Sequence, residues 1–212
     1  MIHRLVVVGA SFGGFDALKT VLRALPASFP VPVAIVQHVG TPGSGLATLL
    51  QRYSDLVVAD AEDKDDLYPG FAYLAPPGYH LLIERGSLAL SIDPPVQHAR
   101  PSIDVLFESA ADVYGPEVVG VILTGTGRDG ALGLTHIKRR GGLAVVQDPV
   151  TARRAAMPEA ALASTPVDLI LPVEEIGGWL VQLPNLQWPA TNPAPQHQTR
   201  EPLTPESSLT RI

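Results

Sequence analysis

The 212-residue chain contains no cysteine, which excludes disulfide bonds, thiolate catalysis and zinc sites with cysteine ligands. It also lacks any run near the roughly 18 apolar residues that a membrane-spanning helix needs, so we expect no membrane insertion. Positive charge is scarce, with 15 lysines and arginines against 21 aspartates and glutamates. Because nucleic-acid binding needs a basic face that neutralises phosphates, we expect no nucleic-acid partner.

What is present is typical of a globular α/β protein. The chain is 46% hydrophobic and 17% charged, and we expect a cytoplasmic protein. Apolar strand-like runs at residues 4–9, 31–37, 117–125, 142–148 and 167–172 alternate with stretches of helical periodicity. Residues 69–92 instead hold three short strand-like runs split by turns, which predicts hairpins inserted into or beside the main sheet. The predicted fold is a doubly wound, mostly parallel sheet with helices on both faces and a small antiparallel hairpin region.

The amino-acid composition changes near the end of the sequence. Six of the 21 prolines lie between Pro184 and Pro205, among Gln, Thr, Asn and Ser. Such a stretch has too few apolar residues to repay the cost of ordering. We therefore predict one folded domain over residues 1–183 and a disordered tail over residues 184–212.

One glycine-rich turn permits a nucleotide-binding interpretation. Gly125, Gly127 and Gly130 match the G-x-G-x-x-G pattern between a predicted strand and helix, and Asp148 ends the next strand. That spacing resembles the turn that binds the pyrophosphate and ribose of a dinucleotide. The pattern alone is a weak signal, and the hypothesis stays open as the alternative to catalysis.

The first glycine-rich turn favours a hydrolase. Residues 9–13 read G-A-S-F-G, which places Ser11 on a sharp strand-to-helix turn that would expose its hydroxyl. A serine nucleophile needs a base, and His38 ends the neighbouring predicted strand. Asp129, after the strand at 117–125, can hold the imidazole in the right tautomer. Carboxyl ends of parallel strands share one sheet edge, so we expect the three side chains to meet there.

Plain structural roles remain open for each of these residues. Ser11 and Asp129 each precede a predicted helix and could simply cap it, while His38 could be a loop histidine bound to backbone. A second set of the same residue types, His98, Ser102 and Asp104, crowds around one helix start, where capping explains Ser102.

Several segments taken together resemble a known family. The segments VVVGASFGG, VQHV, RPSIDVLFESAADVYG, GVILTGTGRDGALGL, GGLAVVQDP and AMPEAAL occur in this order over residues 4–183. They look like the catalytic domain of the CheB chemotaxis protein-glutamate methylesterases. The resemblance implies that Ser11 is the nucleophile, His38 the base and Asp129 the group that orients the histidine.

The resemblance also implies a function. It indicates hydrolysis of glutamate methyl esters on chemoreceptors, with glutamine deamidation as a second activity and no metal or organic cofactor. Well-studied members carry an N-terminal receiver domain, whereas this sequence begins at the first strand, so control by a separate receiver or chemosensory partner is expected.

Two residues depart from the common family pattern. Phe12 stands where threonine is common, and Thr126 where methionine is common. We expect both to line the oxyanion or substrate cleft, together with Arg100 and Met157. If either Phe12 or Thr126 blocked the cleft, the domain would be a non-catalytic binding module, which is the third hypothesis.

Overall fold

The computed structural model describes residues 4–38 and 45–185, and its main sheet has seven parallel strands. The sheet order is β3-β4-β2-β1-β7-β8-β9. In chain order its strands are β1 Leu5–Ala10, β2 Val33–Gln37, β3 Val57–Asp60, β4 Phe71–Leu74, β7 Val118–Ile122, β8 Leu143–Gln147 and β9 Leu169–Leu171. Strands β5 His80–Ile83 and β6 Leu88–Ser91 form a separate antiparallel pair.

Six α-helices connect and cover these strands in the described part of the chain. They are α1 Gly14–Arg23, α2 Leu46–Gln51, α3 Ile103–Tyr114, α4 Ala131–Arg139, α5 Ala156–Ser164 and α6 Val173–Gln182. None of the helices in the described residues is long and apolar enough to cross a bilayer.

The apolar residues form two cores, one on each face of the sheet. Because side chains of a strand alternate, Val6 and Val8 of β1 join one core and Leu5 and Val7 the other. Helices α1, α2 and α6 cover the first face, whereas α3, α4, α5 and the β5–β6 hairpin cover the second. Burial on both faces explains the unbroken apolar runs in the sequence and confirms the predicted fold class.

The hairpin prediction for residues 69–92 is only partly right. The first of its three runs is β4, which pairs in parallel with β2 through Val33–Ala72 and Ile35–Leu74. Only β5 and β6 form the antiparallel pair. Their hairpin packs against α3 through Leu81, Ile83 and Leu88, so it belongs to the second core.

The sheet order places a crevice at the site of interest. From β1 the chain runs to β2 on one side, whereas β7 lies on the other side of β1. In open α/β sheets, ligands bind outside the carboxyl ends of strands at such a reversal of order. Ser11 follows β1, His38 follows β2 and Asp129 lies in the loop after β7. Of the predicted 184–212 tail, residues 186–212 lie outside the described residues.

Candidate active site

Ser11 sits in a turn that tolerates very little extra volume. The turn needs Gly13 at φ 82°, a left-handed conformation that side chains rarely adopt. A Cβ on Gly14 would lie 1.9 Å from the Gln37 Oε1 atom, and one on Gly125 would lie 2.7 Å from the Ser11 Cβ. The glycines of this region therefore let strand ends and side chains approach the serine closely.

The amide of Gln37 ties the serine turn to the histidine. Its Nε2 donates to the backbone carbonyls of Ser11 and His38, both at 2.8 Å. The His38 N–H in turn donates to the Ala10 carbonyl at 3.0 Å. Gln37 is buried, and its Oε1 has no hydrogen-bond partner among the described residues. This glutamine fixes the backbone of Ser11 relative to that of His38, a role the sequence did not reveal.

His38 and Asp129 are paired. The His38 Nε2 lies 2.9 Å from the Asp129 Oδ2, and the carboxylate is almost fully buried. The pairing assigns the Nε2 proton to the bond with Asp129 and leaves Nδ1 as the basic ring nitrogen. In chymotrypsin-type triads the two nitrogens have the opposite roles.

Asp129 caps a helix other than the one that follows it. Its Oδ2 also accepts the Ile103 N–H at 2.8 Å. Its Oδ1 accepts the Asp104 N–H at 3.0 Å and the Ser102 hydroxyl at 2.9 Å. The carboxylate thus closes the start of α3, while its own residue precedes α4. The sequence suggested that Asp129 could cap α4, the helix that follows it, but its carboxylate instead caps α3.

These donors decide the charge of Asp129. Burial alone would raise the pKa of this carboxyl. The hydrogen bonds from His38, from the Asp104 and Ile103 amides and from the Ser102 hydroxyl outweigh burial and hold the pKa of Asp129 below its ordinary value. The carboxylate is therefore ionised at neutral pH, as a group that orients an imidazole must be.

Asp104 makes the reciprocal cap. Its Oδ1 accepts the N–H groups of Gly130 at 2.9 Å and Gly133 at 2.8 Å, so it closes the start of α4. Gln97 donates to its other oxygen. Burial raises the pKa of Asp104 to about 6, against the lowering effect of the two glycine amides, and the negative charge of Asp129 raises it further. The capping is therefore crossed. Asp129, which precedes α4, closes the start of α3, and Asp104, which lies in α3, closes the start of α4.

The serine turn leaves donors near the nucleophile. The Ser11 N–H is used by the Thr124 carbonyl at 3.0 Å, and the Gly14 N–H by the Ser11 carbonyl at 2.8 Å. Over residues 4–38 and 45–185, no hydrogen bond is made by the N–H groups of Phe12 or Gly13. These two amides lie at the start of α1, where the helix dipole favours negative charge. They are the groups available for an oxyanion.

A cavity of about 840 Å³ opens in front of these residues. Its walls are formed by Ser11, His38 and residues 77–78, 97–101 and 126–129. Thr126 and Arg100 line it, and the Arg100 guanidinium donates to the Ile92 carbonyl at 2.8 Å. Phe12 and Met157 are not among its lining residues.

The two remaining predicted cleft residues lie elsewhere. Met157 is buried beside Gly125, and its sulfur would lie 2.0 Å from a Cβ built on that glycine. Phe12 is 49% exposed, and its ring lies against the guanidinium groups of Arg153 and Arg154. The non-catalytic hypothesis requires that Phe12 or Thr126 block the cleft. Phe12 is not part of the cavity wall, and the cavity is open beside Thr126.

The second set of candidate residues does not form a second triad. Ser102 stands at the N-cap position of α3, but its hydroxyl donates to Asp129 instead of capping the helix, which corrects the capping prediction. Asp104 closes α4, as described above. His98 lines the cavity at φ 66°, in a turn closed by hydrogen bonds between Val96 and Ala99. Two members of the set, Ser102 and Asp104, therefore donate hydrogen bonds to Asp129, whereas His98 only lines the cavity.

His80 was given no role by the sequence. It is buried, its Nδ1 accepts the Ser102 N–H at 3.2 Å, and its Nε2 lies 3.2 Å from the Pro94 carbonyl. A neutral imidazole that accepts a hydrogen bond at Nδ1 carries its proton at Nε2. The His80 Nε2–H therefore donates a hydrogen bond to the Pro94 carbonyl. His80 thus holds the residue whose hydroxyl binds Asp129. No sequence pattern could have signalled this contact, because it joins β5 to the start of α3.

The amides that a nucleotide phosphate would need are already bound to a carboxylate. A phosphate at G-x-G-x-x-G would bind the first N–H groups of the following helix, α4. Asp104 already occupies two of these groups, those of Gly130 and Gly133, with a buried carboxylate oxygen. The Asp148 carboxylate accepts the Val150 N–H at 2.9 Å within its own turn. The geometry favours the hydrolase over the nucleotide module.

Comparison with known proteins shows the family. The family model for the CheB methylesterase matches residues 6–180. The chain belongs to the CheB methylesterase family. The crystal structure of the Thermotoga maritima CheB methylesterase catalytic domain superposes with a TM-score of 0.82 at 34% sequence identity, covering 86% of this chain and 100% of that one. The resemblance drawn from the motifs is confirmed.

Three similar proteins extend the match. A Leptospira interrogans protein (strain Fiocruz L1-130) described as a protein-glutamate methylesterase/protein-glutamine glutaminase is 46% identical over 185 residues, 86% of this chain and 96% of that protein. An Anaeromyxobacter dehalogenans enzyme with the same double name is 48% identical, over 81% of this chain and 50% of its own length. The Myxococcus xanthus protein-glutamate methylesterase FrzG is 42% identical, over 85% and 54%.

Proposed function

We propose that this chain is a serine hydrolase that demethylates glutamate methyl esters on chemoreceptors. The observation that carries the proposal is the 2.9 Å contact between His38 and the buried Asp129, on the wall of a cavity that also contains Ser11. Membership of the CheB family supplies the substrate class. Ser11, His38 and Asp129 form the proposed triad.

In the first half of the reaction, Ser11 Oγ attacks the ester carbonyl carbon and His38 Nδ1 takes its proton. The Phe12 and Gly13 amides stabilise the oxyanion of the tetrahedral intermediate. The intermediate collapses as the carbon–methoxy bond breaks, and His38 gives the proton to the departing methoxy oxygen, which leaves as methanol. Asp129 stabilises the imidazolium that exists between these proton transfers.

In the second half, water attacks the ester between Ser11 and the glutamate side chain. His38 takes a proton from that water and returns it to Ser11 Oγ, which releases a glutamate carboxylate. The names of the Leptospira and Anaeromyxobacter relatives also include glutamine deamidation. The same acyl-enzyme would form from a glutamine amide, with ammonia as the leaving group, and ammonia release from unmethylated receptors tests this second activity.

The decisive experiment measures methanol release from methylated receptors together with labelling by a fluorophosphonate probe. Ser11→Ala should lower turnover by on the order of 10⁴-fold and abolish labelling. Ser164→Ala is the matched control, because that hydroxyl donates to the Ala160 carbonyl on α5 and lies outside the cavity walls. Unchanged methanol release in Ser11→Ala would refute the mechanism, and no release by the unaltered chain would refute the substrate.

A further inference from the structure

Phe12 and two arginines form a surface directly beside the nucleophile. The Arg153 guanidinium carbon lies 5.3 Å and that of Arg154 5.1 Å from the centroid of the Phe12 ring. Both distances are those of cation–π contacts. We call these three side chains the Phe12 ledge. The ring is 49% exposed, so the ledge is open to a partner.

Thr124 holds this ledge to the serine turn. Its hydroxyl oxygen lies 3.0 Å from the Phe12 carbonyl and accepts the Arg154 N–H at 2.8 Å. The Gly125 N–H donates to the Arg154 carbonyl at 3.0 Å. A backbone fixed this closely gives the ledge a set position one residue away from Ser11.

The charges of the ledge are poorly neutralised within the chain. In the described residues Arg154 pairs with no carboxylate, and Arg153 approaches Asp16 only at 3.8 Å, with both side chains more than half exposed. Such a pair contributes little in water. A guanidinium stacked on an aromatic face keeps its in-plane N–H groups available, and their geometry suits a carboxylate.

The cavity wall next to the Phe12 ledge also carries positively charged side chains. Arg100 and Arg128 both line the cavity, although the chain as a whole carries a net charge of −6. Opposite local charge of this kind attracts an anionic partner to one place on an otherwise acidic protein.

Resting on the proposed function, we infer that the Phe12 ledge binds a carboxylate side chain of the substrate that flanks the esterified glutamate. Hydrolysis of a glutamate ester produces a carboxylate, so a segment with several modifiable glutamates presents carboxylates beside each remaining ester. On a helical substrate, residues three or four positions away from the ester lie on the same face. The ledge therefore selects esters that have an acidic neighbour.

The test compares two synthetic helical peptides, each with one glutamate methyl ester. In one peptide the residues three and four positions on either side are glutamate, and in the other they are glutamine. At low salt the unaltered chain should show a kcat/KM about tenfold higher for the glutamate-flanked peptide, mainly through KM, and 0.5 M salt should reduce this ratio.

The double variant Arg153→Gln/Arg154→Gln should bring the ratio close to one. The ratio between peptides cancels any general loss of activity in the variant. Arg23→Gln is the matched control, since Arg23 is exposed at the other end of α1, roughly 15 Å from the serine turn. It should keep the ratio of the unaltered chain.

Two results would overturn the inference: no preference by the unaltered chain, or an undiminished preference in the double variant. The first is also the result expected if the ledge serves a separate acidic protein instead of the substrate. If neither peptide releases methanol, the proposed function fails. Calorimetry with the same two peptides then tests whether the Phe12 ledge binds a carboxylate. Equal Kd values for the two peptides would contradict the inference.

Discussion

Two glycine-rich turns lie at one sheet edge, residues 11–14 after β1 and residues 123–130 after β7, and their electrostatic arrangements are opposite. In the first turn, the Phe12 and Gly13 amides at the start of α1 have no partner in the described part of the chain. In the second turn, a buried oxygen of Asp104 occupies amides at the start of α4. The first helix start can receive a developing negative charge, whereas the second already holds one.

The comparison shows why a glycine pattern alone does not identify a phosphate site. Both turns supply the backbone freedom that phosphate loops need, at Gly13 and at Gly130, each with positive φ. The difference lies in which side chain reaches the helix start. Asp104 comes from another helix, so only the packing of α3 against α4 decides the function of the second turn.

The largest expected effect comes from Asp129→Asn in the second turn. An amide cannot stabilise the imidazolium as a carboxylate does, so kcat for methanol release should fall by on the order of 10⁴-fold. Asp148→Asn, at the end of β8, tests the nucleotide hypothesis and should retain turnover, because its contact is the local one to the Val150 amide. Equal losses in the two variants would contradict the assignment of Asp129.

The next effect tests the contact between the two turns. Gly125→Ala would place a Cβ 2.0 Å from the Met157 sulfur and 2.7 Å from the Ser11 Cβ. Displacement of the serine should lower kcat/KM by about 100-fold. Gly178→Ala is the same change in open space on α6, where it should raise the free energy of unfolding by about 0.5–1 kcal/mol without loss of turnover. A Gly125→Ala variant of full activity would show that the turns are not in contact.

A smaller effect is expected from Ser102→Ala, which removes one donor from Asp129. Loss of one hydrogen bond to a charged group should lower kcat about tenfold with little change in KM. The pKa of Asp129 should rise, because one of the hydrogen bonds that stabilise its ionised form is lost. An NMR titration of the Asp129 carboxyl carbon measures this shift. Ser109→Ala, also on α3, removes a hydroxyl that binds the Ile83 amide and should leave the pKa of Asp129 unchanged.

The smallest effect concerns stability. The folded chain raises the pKa of Asp104 to about 6 from an ordinary value of 3.8, so this carboxyl binds its proton more tightly when folded. Its contribution to the free energy of unfolding is therefore largest below pH 3.8 and falls as the pH rises toward 6. Asp104→Asn should remove this slope, as measured by urea unfolding at several pH values between 4 and 7.5. A slope that survives in Asp104→Asn would assign it to other groups.

The sequence was sufficient to predict the fold class and the three residues of the proposed site. Continuous apolar runs indicated strands covered on both faces, and Ser11, His38 and Asp129 each follow such a run. Because parallel strands end at one edge, the convergence of these residues followed from the strand pattern alone.

The contacts that support the site could not be predicted from the sequence. The crossed capping by Asp104 and Asp129 depends on how α3 packs against α4, and local rules assign each aspartate to its own helix. The double donation by Gln37 and the contact of His80 with Ser102 likewise join elements distant in sequence. The parallel pairing of β4 was missed because a short apolar run between turns does not reveal its partner.

The crossed caps of Asp104 and Asp129 also have a consequence for how the enzyme is made. The first amides of α3 and of α4 have their capping carboxylates only when the two helices are docked. Asp129 caps α3 and Asp104 caps α4, so each helix is capped by an aspartate from the other helix's segment. A partly folded chain with the helices apart has no oriented His38, and so no activated serine. Hydrolytic competence therefore requires that α3 and α4 have docked.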